Sequence, residues 1–169
     1  MPKAAASQGR WQWQQLRWLG LTAVIIVVDQ WSKHAVAGSL ALYERIAVLP
    51  FFNITLAFND GAAFSFLAGA GGWQRWFFAG IACFASLLIA GWLLTKKESR
   101  WVQIGLALVL GGALGNLWDR LVLGHVVDFL DFYWGAAHFP AFNIADSAIT
   151  VGVACMLLDM FLTKEASDD

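Results

Sequence analysis

The chain has 169 residues, of which 59% are hydrophobic and only 14% charged, with ten Trp and thirteen Phe. Soluble domains carry about 25% charged residues, so this composition excludes one and predicts a single membrane bundle. The net charge of -1 leaves no basic stripe to neutralise phosphates, which excludes a nucleic-acid partner.

Residues 1–17 are polar and basic, carrying Lys3, Arg10 and Arg17 and no acid. Trp11, Trp13 and Trp18 suit an interfacial aromatic belt. An apolar run over 19–28 leads into DQWSKHAVAG. A secretory signal competes here, because the start is basic and Ala35-Val36-Ala37 resembles a cleavage site. Asp29 and Lys33 argue against it: their i,i+4 order favours one face of a continuing helix. The first spanning helix is therefore predicted over 16–37.

Residues 40–68 change period. Phe52, Ile54, Leu56 and Phe58 alternate with Asn53, Thr55, Ala57 and Asn59, as in a half-buried strand. Residues 46–48, ahead of Pro50, supply a hairpin partner. A lone strand cannot cross lipid without orphaned backbone groups, so this segment is a platform on the membrane surface. Asp60-Gly61 then turns the chain. Further spans are predicted over 73–95, 101–122 and 141–162, with 123–140 as an outer loop. Gly111 and Gly115 allow close helix approach. Cys83 and Cys155 fall in apolar helical runs and are expected as buried core thiols. The sum is an all-α membrane protein in one domain: four transmembrane helices with a small extramembrane β platform between helices 1 and 2. Seven Lys and Arg fall on the side of the termini and the 96–100 connection, and four on the other. Both termini are thus expected in the cytoplasm, with the platform outside.

Asn116, Asp119 and Arg120 share one helix face at i, i+3 and i+4. Asp119 beside Arg120 reads as an ion pair anchoring the outer end of the third helix. Asn143 and Asp146 are also i,i+3 at a helix start, where an acid complements the dipole. Asp128 alone reads as a loop carboxylate. Together, Asp128 and Asp146 come from segments that converge at the outer surface, where two carboxylates in a partly dehydrated site share a proton. Such a pair hydrolyses an amide: one partner activates water while the other polarises the carbonyl. Ser65, Ser86 and Ser147 lack a nucleophile elbow. His125, Asp128 and His138 form only a weak metal pattern. Neither metal nor cofactor is expected. The rival reading is a small proton-coupled transporter, in which membrane carboxylates relay protons.

The motifs DQWSK, NDGAAFS, GGALGNLWDR, HVVDF and FNIAD, in this order, resemble those of the lipoprotein signal peptidase (signal peptidase II) family. The resemblance implies a four-helix aspartic endopeptidase of the bacterial inner membrane, with its active site at the periplasmic face. It removes the signal peptide of diacylglyceryl-modified prolipoproteins, cutting before the lipidated cysteine. The implied catalytic pair is Asp128 and Asp146. Asn59, Asn116, Asp119, Arg120 and Asn143, with Asp29 and Lys33 on the first helix, are the implied supporting residues. The implied partners are lipidated prolipoproteins, membrane lipid and the cyclic peptide inhibitor globomycin.

Overall fold

A computed structural model describes residues 3–61 and 71–165, with side chains over 15–61 and 71–162. Trp11, Trp13 and Lys164 as side chains, and Ala62, Ala63, Phe64 and Ser65 of the second motif, lie outside the described residues. Helix α1 (Lys3–Ala37) is followed by strands β1 (Arg45–Leu49) and β2 (Phe52–Asn59), then helices α2 (Trp73–Thr95) and α3 (Arg100–Val122). Strands β3 (Val126–Trp134) and β4 (Ala137–His138) precede helix α4 (Ile144–Glu165). Of the described helices, α2, α3 and the 144–162 part of α4 are long and apolar enough to cross a membrane. Their outward faces are apolar too: Phe84 and Leu87 are 65% and 69% exposed, as lipid-facing side chains are.

Helix α3 is the hub, touching α1, α2 and α4, with the largest contact against α4. Glycines make this possible. A Cβ on Gly112 would run into the carbonyl oxygen of Ala145, and one on Gly111 would meet the Ile25 side chain at 2.8 Å. Backbones so close gain dispersion contacts that lipid cannot supply. Trp18, Leu93, Leu106, Ala107 and Leu110 close the inner core between α1, α2 and α3. The cysteines depart from expectation. Cys83 is exposed and Cys155 only half-buried, because in a bundle this thin much of each apolar helix faces outward.

The four strands form one antiparallel sheet in the order β1-β2-β3-β4. The expected hairpin between β1 and β2 is present, with Ile46 opposite Ile54. The 123–140 segment, expected as a loop, instead carries β3 and β4. Strand β3 is buried on both faces over most of its length, so it lacks the polar–apolar alternation that marks a half-exposed strand. The alternation of β2 is also interrupted. Ile54 pairs with Leu130 but Ala57 with Asp128, so Thr55 and Leu56 together oppose one residue of β3. This bulge reverses the facing of everything after it. Asn53 and Asn59 would share a face on a regular strand; here Asn53 bonds Asp131 and Asn59 bonds Asp128.

Candidate active site

Asp128 and Asp146 arrive from different layers. Asp128 lies on β3 opposite Ala57, and its Oδ2 accepts from Asn59 Nδ2 at 3.0 Å. Asp146 lies in the first turn of α4, and its Oδ1 accepts from Asn116 Nδ2 at 2.8 Å. Asn143, fully buried, joins the two. Its Nδ2 donates to Asp128 Oδ1 at 2.7 Å, and its main-chain N–H donates to Asp146 Oδ2 at 3.3 Å. In return the Asp146 N–H donates to Asn143 Oδ1 at 2.9 Å. That reciprocal pair is a capping box for α4. The helix-start role of Asp146 and its place opposite Asp128 are one arrangement.

A polar layer beneath sets which way the amides point. The Lys33 ammonium has three protons to give and three acceptors: Asp29 Oδ2 at 2.8 Å, Asp119 Oδ2 at 2.9 Å and Asn116 Oδ1 at 2.9 Å. Lysine only donates, so Asn116 must turn its oxygen to Lys33 and its NH₂ to Asp146. Asp29 also accepts from the Ala145 N–H at 2.9 Å, at the positive end of α4. Gly115 leaves room for this carboxylate, since a Cβ there would lie 2.6 Å from Asp29 Oδ2. Asp119 accepts from Gln30 Nε2 at 2.8 Å and from the Val127 N–H at 3.2 Å. The i,i+4 pairing of Asp29 and Lys33 is therefore present, whereas the expected pairing of Asp119 with Arg120 is not. Asp119 points to Lys33, and Arg120 donates to the carbonyl oxygens of Gly61 at 2.9 Å and Asn116 at 3.2 Å.

One cavity of about 710 Å³ collects the chemistry. Asn59, Asn116, Arg120, Asp128 and Asp146 open onto it, and Phe139, Phe142 and Ile149 help to wall it. Asp29, Lys33, Asp119 and Asn143 are not on its surface and act through those that are. Burial, reinforced by the Asp146 carboxylate, pushes the Asp128 carboxyl up to about 7 against the hydrogen bonds from Asn59 and Asn143. A carboxyl that keeps its proton near neutrality, beside a second carboxylate on the same cavity, can exchange protons with a bound water. His125 packs against the Phe58 ring and His138 bonds Asp131. These histidines do not converge with Asp128, and among the described residues no group of three His, Cys, Asp or Glu is placed to hold a metal ion. Gln30 bonds both Asp29 and Asp119, a role that the sequence reading misses; its place beside Asp29 in DQWSK is the signal available for it. The contact between Asp131 and His138 is likewise absent from that reading.

The fold and the cavity define a multi-pass membrane protein with a polar site between its helices and its sheet. Residues 21–162 match the family model described as signal peptidase (SPase) II, and the chain belongs to that family, which makes it a protease. It is 54% identical over 147 residues to the lipoprotein signal peptidase of Alteromonas mediterranea, covering 86% of this chain and 81% of that protein. With that of Pseudomonas fluorescens the identity is 52% over 171 residues, covering 99% and 98%. A solved structure described as a bacterial membrane enzyme superposes with a TM-score of 0.78 at 31% identity, covering 90% of this chain and 91% of that one.

Proposed function

We propose that the protein removes the signal peptide from diacylglyceryl-modified prolipoproteins as an aspartic endopeptidase, with Asp128 and Asp146 as its catalytic pair. The observation that carries this reading is the bridge through Asn143, which holds both carboxylates on one cavity. In the resting pair one carboxyl keeps a proton and the other is ionised. The ionised oxygen takes a proton from water as that water attacks the scissile carbonyl. The protonated partner hydrogen-bonds the carbonyl oxygen and stabilises the charge that develops there. The proton taken from water then passes to the departing amine, and the peptide bond breaks before the lipidated cysteine. The proton belongs to the pair, and the two roles exchange through the cycle. Arg120 and Asn116, anchored as described, orient the substrate backbone beside the pair.

Helix α1 is the fourth span in this reading. Its Asp29 and Lys33 neutralise each other inside the bundle, which lowers the cost of carrying them at the membrane edge. The buried Lys33 is thereby taken out of the charge count. Both termini then lie in the cytoplasm, and the sheet and cavity at the outer face of the bacterial inner membrane. The apolar signal helix and the acyl chains stay in lipid while the cleavage site enters the cavity. A cyclic peptide such as globomycin would block the same cavity. The relatives named above do not favour the rival reading, a small proton-coupled transporter. The test is cleavage of a diacylglyceryl precursor by detergent-purified protein. Asp128→Asn and Asp146→Asn should each lower the rate by roughly 10²–10⁴-fold while the protein stays folded and inserted. Wild-type processing by Asp128→Asn would falsify the pair.

A further inference from the structure

The far face of the sheet carries a second polar cluster, built around a single carboxylate, that the proposed chemistry leaves unused. The extra residue of the bulge lies in β2 and not in β3, so Asp128 and Asp131, three residues apart on β3, face opposite ways. Asp131 is 3% exposed. Its Oδ2 accepts from Asn53 Nδ2 at 2.9 Å, with Arg45 Nε of β1 at 3.5 Å, and its Oδ1 lies 2.7 Å from His138 Nδ1. Burial works to raise this carboxyl, but Asn53 and His138, with the Arg45 charge behind them, together hold it below its ordinary range. An ionised carboxylate only accepts, so His138 keeps a proton on Nδ1 whether the ring is charged or neutral.

The position of that contact gives it a consequence. Strand β4 is two residues long, pairing Tyr133 with His138 and Trp134 with Ala137, and so short a strand has little stability of its own. The His138 ring also stacks on Tyr133 with centroids 5.2 Å apart. Directly after His138 the chain becomes cavity wall: Phe139, Pro140, Ala141 and Phe142 all line it. Phe139 meets Phe142 edge-on, and Phe142 stacks on Phe132. The next residue is Asn143, which holds both aspartates. One end of the wall is thus fixed by the capping box of α4 and by main-chain bonds between Phe142 and Leu130. At the other the Phe139 N–H donates to the Phe132 carbonyl at 2.8 Å, and the contact between His138 and Asp131 is the side-chain hold on that end.

We propose that His138, clamped by Asp131, is a positioning residue for substrate binding. It holds the 139–142 wall in place so that the apolar part of a lipidated peptide meets a preformed surface. Preformed surface raises affinity by removing the cost of ordering the wall on binding. The inference rests on the peptidase reading for its substrate, but binding is measured apart from cleavage. The probe is a synthetic diacylglyceryl-cysteine peptide spanning a cleavage site, bound to the full chain carrying Asp128→Asn. Adding His138→Ala should weaken its Kd about tenfold. His138→Gln, which keeps an N–H for Asp131, should recover most of that loss. With Asp128 intact, His138→Ala should raise KM by a similar factor and leave kcat within about twofold.

Unchanged affinity in His138→Ala overturns the proposal. So does a fall in kcat at constant KM, or equal losses in the Ala and Gln variants. Should His138→Ala fail to fold, Asp131→Asn replaces it, with weaker probe binding at constant kcat expected and unchanged binding overturning the clamp. If the intact protein does not cleave but His138→Ala still weakens binding, the peptidase reading fails and the clamp stands. Cleavage with unaffected binding gives the reverse.

Discussion

Lys33→Met tests the polar layer beneath the aspartates. The substitution keeps most of the side-chain volume and removes one ammonium, which is 2% exposed and has three partners within 2.9 Å. Asp29 and Asp119 are 0% and 1% exposed, so each loses its cation where water cannot replace it. Removing one partner from a buried pair costs roughly 3–5 kcal/mol. At roughly 2–4 °C per kcal/mol for a chain of this size, the thermal midpoint should fall by about 6–20 °C. The ten Trp residues make intrinsic fluorescence in detergent a direct assay. Activity should fall as well, because the Asn116 oxygen loses its shorter, charged donor and keeps only Asn143 Nδ2 at 3.2 Å to hold it away from Asp146. Adding Asp29→Asn and Asp119→Asn to Lys33→Met removes the unpaired charges, and this triple variant should regain more than half of the lost midpoint without regaining activity. A midpoint within about 2 °C of wild type for Lys33→Met would refute the account of Lys33 as the central cation.

Further outcomes follow from the same geometry. The raised Asp128 carboxyl holds its proton up to about 7, so kcat/KM for precursor cleavage should fall about tenfold per pH unit above that value. On the acid side the rate should fall as the pair takes up its second proton; a profile flat to about pH 9 would contradict the shared-proton mechanism. The same shift carries a stability sign. An acid whose folded pKa is raised contributes stability that is fully present below its unfolded value of 3.8 and lost as pH rises through about 7. Asp128→Asn should therefore flatten the decline in thermal midpoint between about pH 4 and 7, which a pH series of melts would reveal. Gly112→Ala places a Cβ against the Ala145 carbonyl and should push α4 away from α3, lowering both midpoint and kcat. An unaffected kcat would show that the α3–α4 contact does not set the position of Asp146 against Asn116.

The helices were legible because long apolar runs bounded by Trp, Lys and Arg leave few alternatives. The end of α1 was legible from Asp29 and Lys33, whose spacing matches the pair the bundle buries. Strand β3 was not. Its residues VVDFLDFYW are rich in β-branched and aromatic types, but burial on both faces erases the period-2 pattern that identified β2. The Asp119–Arg120 pairing failed for a different reason. Adjacent residues on a helix diverge by about 100°, and the stronger claim on Asp119 came from Lys33, on a helix far earlier in the chain. Local spacing contains no trace of such a partner. The candidates Asn59, Asn116, Asp128, Asn143 and Asp146 do meet in one hydrogen-bonded group, a convergence that needs the bulge in β2 as well as the helix packing.

That extra residue in β2 has a consequence for how the chain tolerates change in length. Losing Thr55 or Leu56 would leave a single residue of β2 opposite Phe129 and a regular ladder, with Ala57 still opposite Asp128 and Asn59 still opposite Val126. A position lost after the bulge, between Ala57 and Asn59, has no such slack: the residues beyond it change face, and the Asn59 amide that now bonds Asp128 turns away from it. A one-codon deletion is therefore expected to be better tolerated at the bulge than just beyond it, since phase along a strand is inherited by every position after a slip.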